Sequence, residues 1–180
     1  MTASPGAAGT GDPAIRAVAL EVEAHVAASG WDQPPRLYAL VPTTDLIDAE
    51  PALAASLGID AAQSAGTYTP IEQEDVPADQ ALEEVLASIG WPPGVIGCAA
   101  VVERLVLPPG ADDHLPLDDT QALAAAAAHP GKQDVRLAVA VTRDGRAHCA
   151  VRLRSHQADV LDGVDLVPTL VGLLRHTLTD

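Results

Sequence analysis

Two short runs near the C-terminus hold the densest cationic chemistry in the chain. Residues 134–142 carry Arg136, and residues 146–154 carry Arg146, His148, Arg152 and Arg154. Guanidinium groups bind carboxylates and phosphates through paired N–H donors. A set of this kind therefore suits a small anionic ligand or an acidic protein surface.

The spacing decides how these groups meet. Val135, Leu137, Val139 and Val141 alternate with Arg136, Ala138, Ala140 and Thr142. Ala147, Cys149, Val151 and Leu153 alternate with Arg146, His148, Ala150, Arg152 and Arg154. Both runs have the period of two that marks strands, and Arg143-Asp144-Gly145 separates them. A two-residue Asp144-Gly145 turn would set Leu137 opposite Arg152, an apolar face beside a charged one. A three-residue loop with Gly145 left-handed instead pairs Val141 with Ala147, Val139 with Cys149, Leu137 with Val151 and Val135 with Leu153. That register is the expected one, with Arg136 directly opposite Arg152 on an outward face. Like charges opposed across strands destabilise a sheet unless they are neutralised. Three neutralisers are open: an acidic segment of the same chain (such as Glu72, Glu74 and Asp75, or Glu83 and Glu84), a small anionic ligand, or an acidic partner surface.

Other reactive residues form no recognisable constellation. The sequence has no glycine-rich phosphate loop, no GxGxxG and no GxSxG. Its six histidines are scattered without metal-ligand spacing. Asp112, Asp113 and His114 read as a solvated turn. Cys149 and His148 are strand neighbours, so they point to opposite faces and make no dyad. Cys98 has no identifiable base, and both thiols read as small core hydrophobes. Glu103-Arg104 reads as an ion pair at a strand end. No catalytic residue, metal site or cofactor is expected.

These side chains need a scaffold. Asp12 and Pro13 open a helix whose Ile15, Val18, Ala19, Val22 and Val26 form one apolar stripe, with Glu23 off it. A strand over 36–41 follows, then two short helical pieces over 43–58. Residues 67–69 read as a brief edge strand stopped by Pro70. A helix from about Pro77 buries Leu82, Val85, Leu86 and Ile89. Residues 95–107 are apolar on both faces and read as a central strand. An Ala-rich helix capped by Asp118 or Asp119 runs to about His129, and Asp165 with Pro168 starts a last helix. Gly30-Trp31 and Gly90-Trp91 each close a helix, the tryptophan covering its end. The first and last long helices are expected side by side on one face of the sheet.

Composition narrows the classes. The net charge of −15 disfavours nucleic acid and anionic membrane as partners. It is uneven: residues 1–131 hold 3 basic and 19 acidic side chains, whereas 132–180 hold 7 basic and 6 acidic. Aromatic residues make up 2%, too few for base-stacking platforms. Residues 1–11 have neither a basic nor an apolar block, so they read as a disordered tail with no signal peptide and no membrane span. Two cysteines without such a signal suggest a reducing, cytoplasmic setting.

Several segments together resemble a family of uncharacterised actinobacterial proteins, small, acidic and intracellular. They include Gly30-Trp31-Asp32-Gln33-Pro34-Pro35-Arg36-Leu37, Thr69-Pro70-Ile71-Glu72-Gln73-Glu74, Ile89-Gly90-Trp91-Pro92, Arg143-Asp144-Gly145 and Cys149-Ala150-Val151-Arg152-Leu153-Arg154. The likeness covers nearly the whole chain from Asp12. It implies an actinobacterial source and brings no activity or cofactor.

The expected fold is α+β: one domain over 12–180, an antiparallel sheet with helices packed on it. The expected function is a non-catalytic protein-interaction or adaptor module using Arg136, His148, Arg152 and Arg154. On that reading Arg152→Glu leaves folding intact and weakens partner capture. A binder of a small anionic metabolite at the same face is the alternative, and an enzyme of unrecognised type using Glu103, Arg104 or His148 is the third reading.

Overall fold

Six strands in the order β2-β1-β3-β4-β5-β6, every neighbour antiparallel, organise the chain. They are β1 (Arg36–Pro42), β2 (Tyr68–Glu72), β3 (Gly97–Val106), β4 (Gln133–Thr142), β5 (Ala147–Leu153) and β6 (Val160–Gly163). The helices are α1 (Pro13–Ala27), α2 (Thr43–Ala49), α3 (Pro51–Ser56), α4 (Leu82–Ser88), α5 (Asp119–Ala128) and α6 (Pro168–Thr177). This computed structural model describes residues 11–179, so the tail expected at 1–11 lies, apart from Gly11, outside the described residues.

The alternation along β3 and β4 sends apolar side chains to both faces, and each face receives its own cover. Cys98, Ala100, Val102, Val139, Val141 and Cys149 pack with Leu82 and Leu86 of α4 and Leu170, Val171 and Leu174 of α6. Tyr38, Leu40, Ala99, Val101, Ala138, Ala140 and Ala150 pack with Ile15, Val18, Ala19, Val22 and Val26 of α1. The expected stripe of α1 is therefore its buried face. The expectation that the first and last helices lie side by side is wrong: they take opposite faces. A sheet apolar on both sides must be covered on both. Its small Ala side chains on one side let α1 approach closely.

The hairpin has the expected register, with Val139 opposite Cys149 and Arg136 opposite Arg152. Gly145 takes φ +92 in the three-residue loop, a conformation that costs glycine little. At the same, hairpin end of β4, Gly97 of β3 faces Thr142. A Cβ on Gly97 would sit 2.3 Å from the Val141 carbonyl oxygen, so only glycine lets β3 and β4 pair closely there.

Three boundaries differ from expectation: α6 begins at Pro168 with Val167 at its N-cap position, so Asp165 does not start it. β2 runs through Pro70 to Glu72 rather than stopping at it. An edge strand tolerates proline because one of its sides has no strand to bond. Helix α4 begins at Leu82, not near Pro77, because Ala81 is extended with ψ 140. Residues 78–79 form a turn instead.

Candidate functional site

The face carrying Arg136 and Arg152 does not look outward. Helix α1 lies across it, and Arg136 is 1% exposed. Glu23 of α1, also 1% exposed, reaches down between the two arginines. Its Oε1 lies 2.6 Å from Arg152 Nε and 3.5 Å from Arg136 Nη1, and its Oε2 accepts from Arg152 Nη2 at 2.8 Å. Arg136 Nη2 also donates to Glu103 Oε1 at 2.9 Å and to the Gly30 carbonyl at 2.5 Å. Buried Arg136 and partly buried Arg152 thus meet two carboxylates, which is the condition under which burying charge is tolerable.

The loop after α1 closes over this group. The Trp31 ring stacks on Arg136, 4.3 Å from guanidinium carbon to ring centroid. The Gln33 backbone N–H donates to Glu103 Oε2 at 3.1 Å. Asp32, in a left-handed conformation with φ 63, pairs with half-exposed Arg154 at 3.1 Å. Aspartate adopts that conformation more readily than most residues.

His148 and Arg146 lie further along the same face. His148 is buried, and its Nε2 is 2.8 Å from Asp162 Oδ2, an oxygen that Arg16 Nε also reaches at 2.6 Å. Arg16, and then His148, hold the Asp162 carboxyl below the usual carboxylate range. Arg146 pairs with Asp12 at 2.7 Å and with Asp144 at 2.9 Å. Hydrogen bonds from Arg146, and next Thr142, draw Asp144 down to about 2.

Among the three neutralisers, acids of the same chain fill the role. They are Glu23, Glu103, Asp32 and Asp162, rather than the suggested 72–75 and 83–84 segments. A small anion at this face has to compete with these carboxylates. The reading that Arg152→Glu leaves folding intact is corrected as well: the new carboxylate would face buried Glu23.

Glu103 and Arg104 do not pair with each other, because strand neighbours point to opposite faces. Glu103 meets Arg136 on the α1 side, and Arg104 meets Glu83 of α4 at 2.5 Å on the other. Five cavities of about 290–430 Å³ are lined by none of Glu103, Arg104 and His148, so no cavity among them joins the three. Cys98 is buried against Leu174 and Thr177, and burial pushes its thiol up to about 12. Trp91 anchors the same corner, its indole N–H donating to Thr177 Oγ1 at 2.9 Å. The two Gly-Trp helix ends therefore serve opposite faces of the sheet.

Sequence reasoning misses the counter-ions Glu23, Asp32 and Asp162 and the tie made by Arg143. Glu23 falls four residues after Ala19 and one after Val22, on the flank of the apolar stripe. A charge at that spacing was the available signal. By spacing alone Arg143 is only a loop residue. It donates to the carbonyls of Val95 at 2.8 Å, Leu178 at 2.6 Å and Trp91 at 3.0 Å, tying the hairpin loop to the last helix.

A family model described as PPA1309-like protein matches residues 15–179. The chain belongs to that family. The family region takes in every strand and helix α1 from Ile15, so the Glu23–Arg136–Arg152 group and its Trp31 cover lie inside it. No curated protein and no solved structure matches. Among the described residues no group of three or more His, Cys, Asp or Glu is placed to hold a metal ion. No described helix is long and apolar enough to cross a membrane.

One region stands apart from the packed layers. The connection from β3 to β4, residues 107–132, carries α5, in which no residue is buried. Asp118 caps it by accepting from the Gln121 N–H at 3.0 Å. Leu117 is 103% exposed and Leu123 73%, and Leu105 and Val106 at the end of β3 are exposed too.

Proposed function

We propose that the protein is a non-catalytic protein-interaction module, and that its partner docks on the 105–132 arm rather than on the hairpin arginines. The observation that carries this reading is α5. Its sequence, Asp119 to Ala128, is alanine or leucine at seven of ten positions, yet it buries no residue. A helix apolar nearly all round belongs in an interior. Here its outer side, with Leu123, Ala127 and the preceding Leu117, faces solvent. The arm also carries Asp113, Asp118 and Asp119. With a net charge of −15, a second copy is repelled and a different protein with an apolar patch ringed by basic residues is favoured. The hairpin residues Arg136, His148, Arg152 and Arg154 then serve the partner indirectly, by holding the scaffold. The buried thiols and the wide family resemblance support a cytoplasmic, actinobacterial setting.

Native mass spectrometry of the protein purified gently from its own host tests this. Wild type is expected to retain a second protein at fixed stoichiometry. The Leu117→Asp/Leu123→Asp variant is expected to lose it while keeping its melting temperature, and the complex should re-form from the two purified proteins. A bare monomer, a self-dimer or a partner that survives the double variant would overturn the reading.

A further inference from the structure

The sheet ends in two unlike edges. At one, β2 is blunted: Pro70 sits in its middle without a backbone N–H, and charged Glu72 ends it. At the other, β6 carries neither proline nor lysine. It pairs with β5 on one side only, Leu161 opposite Val151 and Gly163 opposite Cys149. The backbone groups on its far side meet no other strand among the described residues. Such a row of N–H and C=O groups is the template that an added strand uses.

An edge four residues long holds a partner weakly through its backbone alone, so the neighbouring side chains decide whether it is a site. Leu161 and Gly163 point to the α6 side of the sheet, as their partner Cys149 does. Leu166 folds back over Gly163, where a Cβ would lie 3.3 Å from its Cγ and Cδ2. Leu161 and Leu166 thus stand together along one side of the edge, 63% and 48% exposed. An apolar pair beside unpaired backbone suits an extended segment with apolar side chains at alternate positions.

The charges around the edge set the rest of the partner's chemistry. Asp162, within the strand, is engaged on the α1 side by Arg16 at 2.6 Å and by His148 at 2.8 Å. Exposed Asp159 and Asp165 flank the strand, one before it and one after. They favour a segment with a positive charge at each end. The net charge of −15 favours the same sign and opposes the pairing of two β6 edges from two copies.

We infer that β6 accepts an extended segment of another protein as an added strand, its alternate apolar side chains lying against Leu161 and Leu166 and its flanking Lys or Arg residues meeting Asp159 and Asp165. The 105–132 arm leaves the sheet from β3 and β4, so the two surfaces are separate and this inference does not rest on the arm reading.

NMR titration of isotope-labelled protein with the peptide acetyl-Lys-Val-Thr-Val-Thr-Val-Lys-amide at low ionic strength tests the inference. The amides of residues 160–163 are expected to shift saturably. N-methylation of the valines removes the N–H groups of one peptide edge, and N-methylation of the threonines removes those of the other. One of these two peptides, but not both, is expected to bind about tenfold more weakly, the worth of lost backbone hydrogen bonds. Replacing both lysines by glutamate is expected to weaken binding by about as much. Leu161→Thr keeps strand propensity and removes apolar contact, so it should weaken the peptide about fivefold with the melting temperature unchanged. The Leu117→Asp/Leu123→Asp variant should bind as wild type does, which separates this edge from the arm. No saturable shift at 160–163, loss with both methylated peptides or with neither, or indifference to Leu161→Thr would overturn the inference. A self-dimer that Leu161→Thr dissolves, or binding that appears only once residues 1–10 are removed, would overturn it too, assigning the edge to a second copy or to the chain's own first residues.

Discussion

Glu23 and Arg152 are 129 residues apart in the chain, and two of their hydrogen bonds, at 2.6 and 2.8 Å, join helix α1 to strand β5. The same carboxylate faces Arg136 on the neighbouring strand, so one residue of the first helix resolves the repulsion built into the hairpin register. Removing one member of a buried charge group leaves the others uncompensated. Glu23→Ala should therefore destabilise the protein by about 3–5 kcal/mol, read as a lower denaturant midpoint. Arg152→Glu should be at least as damaging, and a loss under 1 kcal/mol in both would show that the group is not a structural tie.

Arg143 makes a second, quite different tie. Its guanidinium collects carbonyls from the 91–95 loop and from Leu178 at the end of α6. Lysine keeps the charge, but its single nitrogen cannot span the acceptors that three separate guanidinium nitrogens reach. Arg143→Lys is expected to lower stability by about 1–3 kcal/mol and to speed hydrogen exchange in the last turn of α6, with the β3–β4 amides unchanged. Exchange that rises uniformly would argue against a local tie.

Close pairing at Gly97 gives a steric prediction. Because a Cβ there would meet a backbone oxygen of β4, neither side can yield by rotating a side chain. Gly97→Ala is expected to cost about 1–3 kcal/mol, the usual range for overpacking, although alanine at a neighbouring strand position is accommodated. Chemical denaturation of this variant beside Ala99→Gly would separate the clash from a general effect of composition.

Acid should loosen the hairpin end by a predictable route. The carboxyls of Asp12, Asp144 and Asp162 are all drawn down by arginine partners. A carboxylate lowered in the folded state stabilises above its unfolded pKa, and that contribution is lost as pH falls through the folded value. For Asp144 the loss runs from about 4 in the unfolded chain to about 2 in the folded protein. Asp144→Asn should lower the melting temperature slightly at pH 7, since the group is largely exposed and solvent screens it. The difference from wild type should shrink between pH 4 and pH 2, and a constant gap over that range would refute the link.

Both cysteines should be inert while the protein is folded. Burial is the first cause raising each thiol, and the thiolate is the reactive form. Alkylation by iodoacetamide at pH 7.5 should be negligible in native protein and complete for both in denaturant. Rapid labelling of Cys98 in the native state would mean that the α6 side of the sheet opens readily.

The sequence by itself determined what depends on near neighbours along the chain. The period of two in 134–142 and 146–154, with a glycine suited to a left-handed turn, leaves one register that keeps apolar side chains together. The α1 stripe follows from the helical period in the same way, and Asp12 and Asp118 act as the caps their positions imply. Only the tertiary structure decided what meets what at long range. Strand β3 is apolar on both faces, so local pattern cannot say which helix covers which, and α1 and α6 took opposite sides. That choice turned an outward arginine face into a buried one. Glu23 became its counter-ion, although the helical pattern shows only a charge flanking an apolar stripe. Ion pairing acts through space between groups more than a hundred residues apart, and no spacing within either segment encodes it.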